Sequence, residues 1–510
     1  MTGAEGLVHT LLRSGVDVCF ANPGTTEMHI VAALETIPGI RCVLGLQENV
    51  VTGAADGYWR MASKPAATLL HCGPGLANGL ANLHNARRAR SGIVNIVGDQ
   101  AISHRPFDAP LTATTEAWAL GISPWTRTVM DATAVGRDAA DAVQAARQGQ
   151  IATLILPADT AWDAHGSVGE AIPFPPAPEP ALLAIEEAKR ALGSAQPTLL
   201  LLGGRSLGAT ALADAHRIAA ATGAPIMAEM FNARFERGRG RPPVDRVPYL
   251  VDQALAKLAA FKHVILVCAT PPVSFFAYPG KPGCLCPPDC EMHVLATPEE
   301  DGPHALAQLA DALQAPRVPP TDRGTHPEIA HGALTAAAAG QTIAALLPEN
   351  AIVVNEGGTC GPAVFSPSHD SAPHDWLDLT GGAIGDGLPM AIGAAIAAPS
   401  RRVVGLQADG SGMYTVQALW TQARERLDVT TVVFSNRTYG ILLHEFAGVA
   451  AKPGPTAVHL MTLSDPAIDW TRLADGQGIE AARARNCEQL ADLLRTSFGR
   501  SGPFLIELCM

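Results

Sequence analysis

Long apolar runs are missing from this chain of 510 residues. Leu199–Leu202 reads as a buried strand and Ala391–Ala398 as a small-residue helix. Neither approaches the roughly 20 apolar residues that span a bilayer. Charge is also sparse: 16% of residues are Asp, Glu, Lys or Arg, and the net charge is −12 without long acidic runs. No basic stripe is present, which argues against nucleic acid or an anionic membrane as a partner. Ten cysteines in so long a chain do not make a disulfide framework. Cys284, Cys286 and Cys290 crowd one Pro/Gly-rich loop with His293 nearby, but their spacing fits no zinc pattern, so reduced thiols are expected there. The chain runs straight into Gly6-Leu7-Val8-His9 without a charged start or a cleavage site, and the cytoplasm is the expected location. A hydrophobic content of 47% is that of a well-buried globular protein, and the length suggests about three domains.

The rhythm of apolar runs supports that division. Val16–Phe20, Arg41–Leu46, Ala66–His71, Ile93–Val97 and Thr153–Leu156 alternate with helical stretches, the pattern of a parallel sheet with crossover helices, over residues 1–165. A Pro-rich linker at 172–180 leads to a second α/β segment, 181–315, with strands at Thr198–Leu202 and His263–Val267. A second Pro-rich connector, Ala315–Pro320, precedes the third segment, 330–510, whose strands are Ala351–Val354, Arg402–Leu406, Thr430–Phe434 and Phe504–Leu508. The expected fold is α/β, with three doubly wound parallel-sheet domains.

One constellation carries chemistry. Ala408-Asp409-Gly410-Ser411-Gly412 is followed, 27 positions after Asp409, by Asn436-Arg437-Thr438-Tyr439-Gly440. Each segment ends an apolar run, so Asp409 and Asn436 arrive at the carboxyl edge of one sheet, where open α/β sheets bind ligands. A carboxylate, an amide oxygen and the Thr438 carbonyl form a hard-oxygen set suited to Mg²⁺, which retains phosphate oxygens among its ligands. Gly410 and Gly412 let the backbone approach a diphosphate, and the following helix offers its N-terminus to the anion. Asp-Gly alone would be an ordinary strand–turn–helix cap; the Asn-x-Thr at this distance favours a diphosphate–magnesium site.

These residues resemble the thiamine diphosphate (ThDP) enzyme superfamily, in its benzoylformate decarboxylase and acetolactate synthase branch. Asn22-Pro23-Gly24-Thr25-Thr26-Glu27, Leu46-Gln47-Glu48, Ala55-Asp56-Gly57-Tyr58, Ala418-Leu419-Trp420-Thr421 and Phe446-Ala447-Gly448-Val449 extend the resemblance over nearly the whole chain. It implies a pyrimidine-binding first domain, a non-catalytic central domain and a diphosphate-binding third domain. It also implies that Glu48 hydrogen-bonds the aminopyrimidine ring, against the plainer reading of a first-turn glutamate at a helix dipole. In Gly381-Gly382-Ala383-Ile384-Gly385, Ile384 falls where the family wedges a large apolar side chain beneath the bent cofactor, although alone it would simply be core. Gly410, Ser411, Thr359 and Tyr439 are implied as cofactor contacts, and Asp409, Asn436 and Thr438 as metal ligands.

His71 matches a histidine that faces the substrate carboxylate in benzoylformate decarboxylase, where near-neutral acid–base work suits imidazole. Thr25 lies where that enzyme has a substrate-binding serine, with a turn or capping role nearly as plausible, and Gln100 matches an active-site glutamine of several relatives. The same resemblance departs in two places. Pro272-Val273-Ser274-Phe275-Phe276-Ala277-Tyr278 holds no second histidine, so Phe275 and Phe276 would make an apolar substrate wall. Leu442 and Leu443 follow the cofactor segment with Glu445 displaced; His444, Glu445 and His104 are weaker substitutes.

The expected activity is a ThDP- and Mg²⁺-dependent 2-oxo acid decarboxylase, possessing carboligase capacity if the intermediate outlives protonation. Alternatives are an acetolactate-synthase-like carboligase or hydroxyketone lyase, and a non-catalytic ThDP-binding regulatory protein. Substrates would be a 2-oxo acid or aldehyde. The resemblance implies a homodimer or homotetramer with active sites at subunit interfaces. No secure FAD signature is present, and Gly203-Gly204-Arg205-Ser206-Leu207-Gly208 only loosely suggests a nicotinamide site.

Overall fold

The computed structural model of the protein describes residues 1–319 and 326–510, with the side chain of Ala447 left aside. Pro320, the end of the second expected connector, lies outside the described residues.

Eighteen strands are described, in three sheets. The first holds β1 (Val18–Asn22), β2 (Arg41–Leu44), β3 (Ala66–Leu70), β4 (Ile93–Asp99), β5 (Trp125–Thr128) and β6 (Ile151–Pro157) in the order β2-β1-β3-β4-β6-β5. All its pairings are parallel. In the middle segment follow β7 (Thr198–Leu202), β8 (Ile226–Ala228), β9 (Phe235–Arg237), β10 (Asp245–Arg246), β11 (His263–Val267) and β12 (Glu291–Ala296). Five of these form a second parallel sheet, β10-β8-β7-β11-β12. The third sheet takes β13 (Ala351–Glu356), β14 (His374–Asp378), β15 (Val403–Ala408), β16 (Val429–Ser435), β17 (Glu480–Ala484) and β18 (Phe504–Cys509), in the order β17-β18-β16-β15-β13-β14-β9.

Read from β14 inward, the third sheet repeats the strand order of the first, 2-1-3-4-6-5. One strand breaks the wholly parallel picture. β9, from the middle segment, pairs antiparallel with β14 at the sheet edge. Its ladder is anchored by Arg237, which is buried between the Phe235 and Phe365 rings and donates from Nη2 to the Phe365 carbonyl at 2.7 Å.

The strands are near-continuous apolar runs because both faces of a parallel sheet are covered by helices. β3, β4 and β6 are buried along their whole length. Between the first and third sheets, the helix Glu48–Ala62 packs on the helix Gly387–Ala397. Gly57 and Gly393 let these helices touch backbone to backbone: a Cβ at either would collide with the opposing main chain. Arg60 locks the same seam, donating to both Asp56 oxygens and, from Nη1, to the Asp378 carbonyl at 2.6 Å. Among the described residues no helix is long and apolar enough to cross a membrane.

Candidate active site

Two groups of polar side chains collect at the carboxyl ends of equivalent strands. In the first sheet they sit where β1 and β3 lie side by side and the chain order reverses, the crevice where open α/β sheets bind ligands. β1 runs into the turn Thr25–Glu27, and β3 delivers His71, the residue before the helix Cys72–Ala89. Glu27 is fully buried. Its Oε2 accepts from the Gly24 amide at 2.7 Å and stands 2.8 Å from His71 Nδ1. A carboxylate can only accept, so Nδ1 carries the proton and Nε2 is left as the ring's free nitrogen. Gly98 makes the room: a Cβ there would occupy the space of the Glu27 carboxylate.

Thr26, not Thr25, is the hydroxyl beside the imidazole, at 3.3 Å from Nδ1 and 3.2 Å from Cys72 Sγ. Thr25 is exposed on the same turn. Gln100 follows β4 and is tied down at both ends, its amide N–H to Asp99 Oδ1 (2.8 Å) and its Nε2 to the Pro110 carbonyl (3.0 Å). Glu48 opens the helix Glu48–Ala62 behind the N-cap Gln47, half-buried, with Oε2 accepting from Asn78 Nδ2 at 3.0 Å. His104 is exposed and stacks on Phe107.

The second group stands at the ends of β13, β15 and β16. Asp409 is 2% exposed and accepts from the Gly410 amide (2.8 Å) and the Arg437 amide (2.6 Å). Burial raises its carboxyl above the usual range and those two N–H groups only partly offset it. No cationic side chain pairs with it among the described residues. Arg437 reaches it through its backbone, in a left-handed conformation (φ 58°) that turns the chain from β16 back across Asp409. Asn436 Oδ1 accepts from the Thr438 amide at 3.1 Å, and a Cβ at Gly440 would touch both Asn436 and Thr359. Tyr439 lays its ring on Gly410, where any Cβ would run into it. Ser411 is buried, accepting from Gln407 Nε2 at 2.6 Å. The helix expected after Asp409 is a single turn, Asp409–Gly412, continuing as a 3-10 turn before Ala418–Arg424.

Ile384 rides on a loop with two left-handed glycines, Gly382 (φ 76°) and Gly385 (φ 100°), a conformation that side chains with a Cβ resist. A buried glutamate holds the loop. Glu356 Oε1 accepts from the Gly385 amide at 2.6 Å, and Oε2 from the Gly387 amide at 2.8 Å and Gln407 Nε2 at 3.0 Å. Asn82 and Asn85, on the helix Cys72–Ala89, donate to the carbonyls of Gly385 and Ala383. The middle segment closes this side: the Phe275 ring covers Gly382 and packs against Phe231, Tyr249 and Phe276. Glu445 is occupied by two phenols, Tyr249 at 3.0 Å and Tyr278 at 2.7 Å. Burial, then the bond to Glu445, pushes the Tyr278 hydroxyl up to about 12. His444, Leu442 and Leu443 are exposed.

The structure thus gathers Thr359, Ile384, Asp409, Ser411, Asn436, Thr438, Tyr439 and Phe275 around one sheet edge, and Glu27, His71, Thr26 and Gln100 around another. Among the described residues no hydrogen bond or ion pair joins Glu27, Glu48, His71 or Gln100 to residues 355–440 of the same chain. Sequence reasoning missed Glu27 and the clamping role of Glu356. Glu27 stands inside a motif already marked, and only the fold brings either glutamate to its partner.

Two domain families match this chain. The N-terminal TPP binding domain of thiamine pyrophosphate enzymes covers residues 1–118, and the C-terminal TPP binding domain covers 358–508. The chain belongs to the thiamine pyrophosphate enzymes. A Mycobacterium tuberculosis protein, IlvX, provisionally named an acetolactate synthase large subunit, is 49% identical over all of this chain and 99% of its own length. The benzoylformate decarboxylase of Pseudomonas aeruginosa is 29% identical, over 98% of this chain and 97% of its own. In fold, the 4-hydroxybenzoylformate decarboxylase of Rhodococcus jostii RHA1 superposes with a TM-score of 0.87 at 24% identity, covering 99% of this chain and 98% of that one. The protein is therefore a thiamine pyrophosphate enzyme of the decarboxylase and acetolactate synthase type, a carbon–carbon lyase or carboligase.

The second group of residues fits that cofactor's charged end. A buried carboxylate with no cationic partner among the described residues, and an amide oxygen beside it, suit a metal-bound diphosphate.

Proposed function

We propose that the protein is a Mg²⁺-dependent 2-oxo acid decarboxylase for substrates with an apolar side chain. The observation that carries this reading is Asp409, desolvated and unpaired by any cation, beside Asn436 at the ends of β15 and β16. Asp409, Asn436 and the Thr438 carbonyl would hold Mg²⁺. Gly410, Ser411, Thr359 and Tyr439 would meet the diphosphate, and Ile384 would support the bend between the rings. When bound, the cofactor supplies the nucleophile and the electron sink for losing CO₂.

The protein's own residues do the rest. Glu48 would hydrogen-bond the aminopyrimidine of the bound cofactor and so help to activate it. His71, with Nδ1 held by Glu27, would in its doubly protonated form donate from Nε2 to the substrate carboxylate, and would give up that Nε2 proton after CO₂ leaves. Thr25 and Gln100 border the substrate, and Phe275 and Phe276 form its apolar wall. Glu445, tied to Tyr249 and Tyr278, shapes that wall and is not a free acid.

Among the described residues no hydrogen bond or ion pair joins Glu48 to Asp409 within one chain, which favours a site shared between two copies, with Glu48 of one serving the cofactor held by the other. We read the division 1–165, 181–315 and 330–510 as pyrimidine-binding, central and diphosphate-binding domains, assembled as a homodimer or homotetramer in the cytoplasm.

A second reading is carboligation. The 49% identity to a protein named as an acetolactate synthase large subunit favours it, as does an apolar wall where protonation would want a second histidine. The deciding experiment supplies ThDP and Mg²⁺ with pyruvate, branched 2-oxo acids or benzoylformate and identifies the product. CO₂ with an aldehyde establishes the decarboxylase; CO₂ with a hydroxyketone or acetolactate establishes the carboligase. No CO₂ from any acid overturns both.

A further inference from the structure

A side-chain cluster in the middle segment has no part in the site above. His263 is the first residue of β11, and β12 runs beside it in register, with His263 opposite Glu291 and Ile265 opposite His293. Side chains alternate along a strand, so His263, Glu291 and His293 share one face of the sheet. Val264 and Met292 point to the other face, into the cluster that holds Cys286 and Cys290. His293 therefore turns away from the cysteine loop for which the sequence had made it the nearest extra ligand.

Three atoms converge. His263 Nδ1 lies 3.1 Å from His293 Nε2 and 3.6 Å from Glu291 Oε2, and His293 Nε2 lies 3.9 Å from the same Glu291 oxygen. Zinc–nitrogen bonds of about 2.0–2.1 Å set tetrahedral ligand atoms about 3.3–3.4 Å apart. The observed triangle is close to one face of that tetrahedron. The side chains of His263 and His293 are 12% and 18% exposed, so the rings are fixed by packing, while Glu291 is 70% exposed and free to swing in. An N–H···N bond between the rings uses one lone pair. A cation in the proton's place takes a lone pair from each ring and uses the carboxylate as well. Glu187 and Arg190, on the helix Leu182–Leu192, are the other charged groups that act on His293.

We propose that His263, His293 and Glu291 form a surface binding site for a borderline divalent cation of the Zn²⁺ class, with solvent completing the coordination. Two imidazoles and one carboxylate select such ions over Mg²⁺, which prefers oxygen alone. The site stands at the amino end of β11 and on the edge strand β12, away from the carboxyl edge that ligands use, so the cation cross-links the sheet edge and stabilises the middle segment.

The test is Zn²⁺ titration of the full-length protein, by calorimetry and thermal melting, with Mg²⁺ and ThDP held in excess to fill the other site. One Zn²⁺ per chain should bind and raise the melting temperature. In His293→Ala, affinity should fall by about 10–100-fold or more, since loss of an outer-sphere partner alone costs that much. ThDP-dependent turnover should be unchanged. His293→Gln and Glu291→Gln keep side-chain volume and answer the case in which the alanine variant fails to fold. Absent Zn²⁺ binding, or binding equally tight in these variants, overturns the proposal.

Discussion

His71 Nδ1 and Glu27 Oε2 stand 2.8 Å apart across the β1–β3 crevice, with the glutamate fully buried and the imidazole a quarter exposed. The buried carboxylate holds the ring through one oxygen and the Thr26 hydroxyl through the other, so it sets the tautomer and aim of His71 and does not meet substrate itself. Glu27→Gln keeps the volume and the bond from the Gly24 amide, but its amide nitrogen can replace an acceptor with a donor. The fold should survive, and turnover of the best 2-oxo acid should fall by about 10–100-fold. His71→Ala should cost more, about 10²–10⁴-fold, the usual worth of a general acid–base group. Steady-state CO₂ release with both variants, and with the double variant, checks this. A double variant no worse than His71→Ala means that Glu27 acts through the histidine.

Among the described residues Glu48 has one side-chain hydrogen-bond partner, Asn78, and it takes a half-exposed position at a helix start. No ion pair of Glu48 is seen among the described residues. Glu48→Gln should melt within about 0.5 kcal/mol of the wild type, as surface changes do, and still bind ThDP. It should lose turnover almost completely. Normal turnover in that variant would remove Glu48 from the mechanism.

Asp409 gives a prediction about binding without catalysis. Its burial disfavours the charged form, and a bound divalent cation would restore it. At ThDP–Mg²⁺ a hundredfold above Kd, ligand binding should stabilise the wild type by about 2.7 kcal/mol. Asp409→Asn should lose most of this gain while the ligand-free protein melts near the wild-type temperature. Differential scanning fluorimetry, with and without Mg²⁺, separates the two effects.

The same residues show how far sequence carries. β7 and β11 match their expected bounds residue for residue, because a parallel strand covered on both faces is a run of Leu, Ile and Val. Several of the unexpected strands are edge or polar ones: β5 is Trp-Thr-Arg-Thr, β14 is His-Asp-Trp-Leu-Asp and β17 is Glu-Ala-Ala-Arg-Ala. Their ladders rest on neighbours distant in sequence, as does β9 crossing to the third sheet. Asp409 and Asn436 were legible because each ends an apolar run and chemistry limits what a carboxylate and an amide can do together. Glu27 and Glu356 were not, because a buried glutamate looks like any other until its partners, 44 residues away at His71 and 29 away at Gly385, are brought to it.

The seam between the first and third sheets yields a pH prediction. Asp386 is fully buried, neither of its side-chain oxygens has a hydrogen-bond partner among the described residues, and Arg60 Nη2 lies 3.9 Å away. Burial first, and the neighbouring Asp56 charge second, push its carboxyl well above the usual range; Arg60 opposes them but is already engaged by both Asp56 oxygens. The folded state therefore binds a proton that the unfolded chain gives up near pH 4, or about the ordinary aspartate value. Stability from this group is fully present below that point and is lost as pH rises through the folded value, because the folded protein holds more protons than the unfolded one. Asp386→Asn removes the titration and keeps a neutral donor beside Asp56. At pH 8 the variant should melt above the wild type, by about 1 °C for each kcal/mol relieved in a chain of this length. The gap should narrow steadily as the pH is brought down to 5. Melting curves of both proteins across that range decide it: a gap that is constant with pH would mean that Asp386 stays ionised in the folded protein, and that Arg60, not a proton, neutralises it.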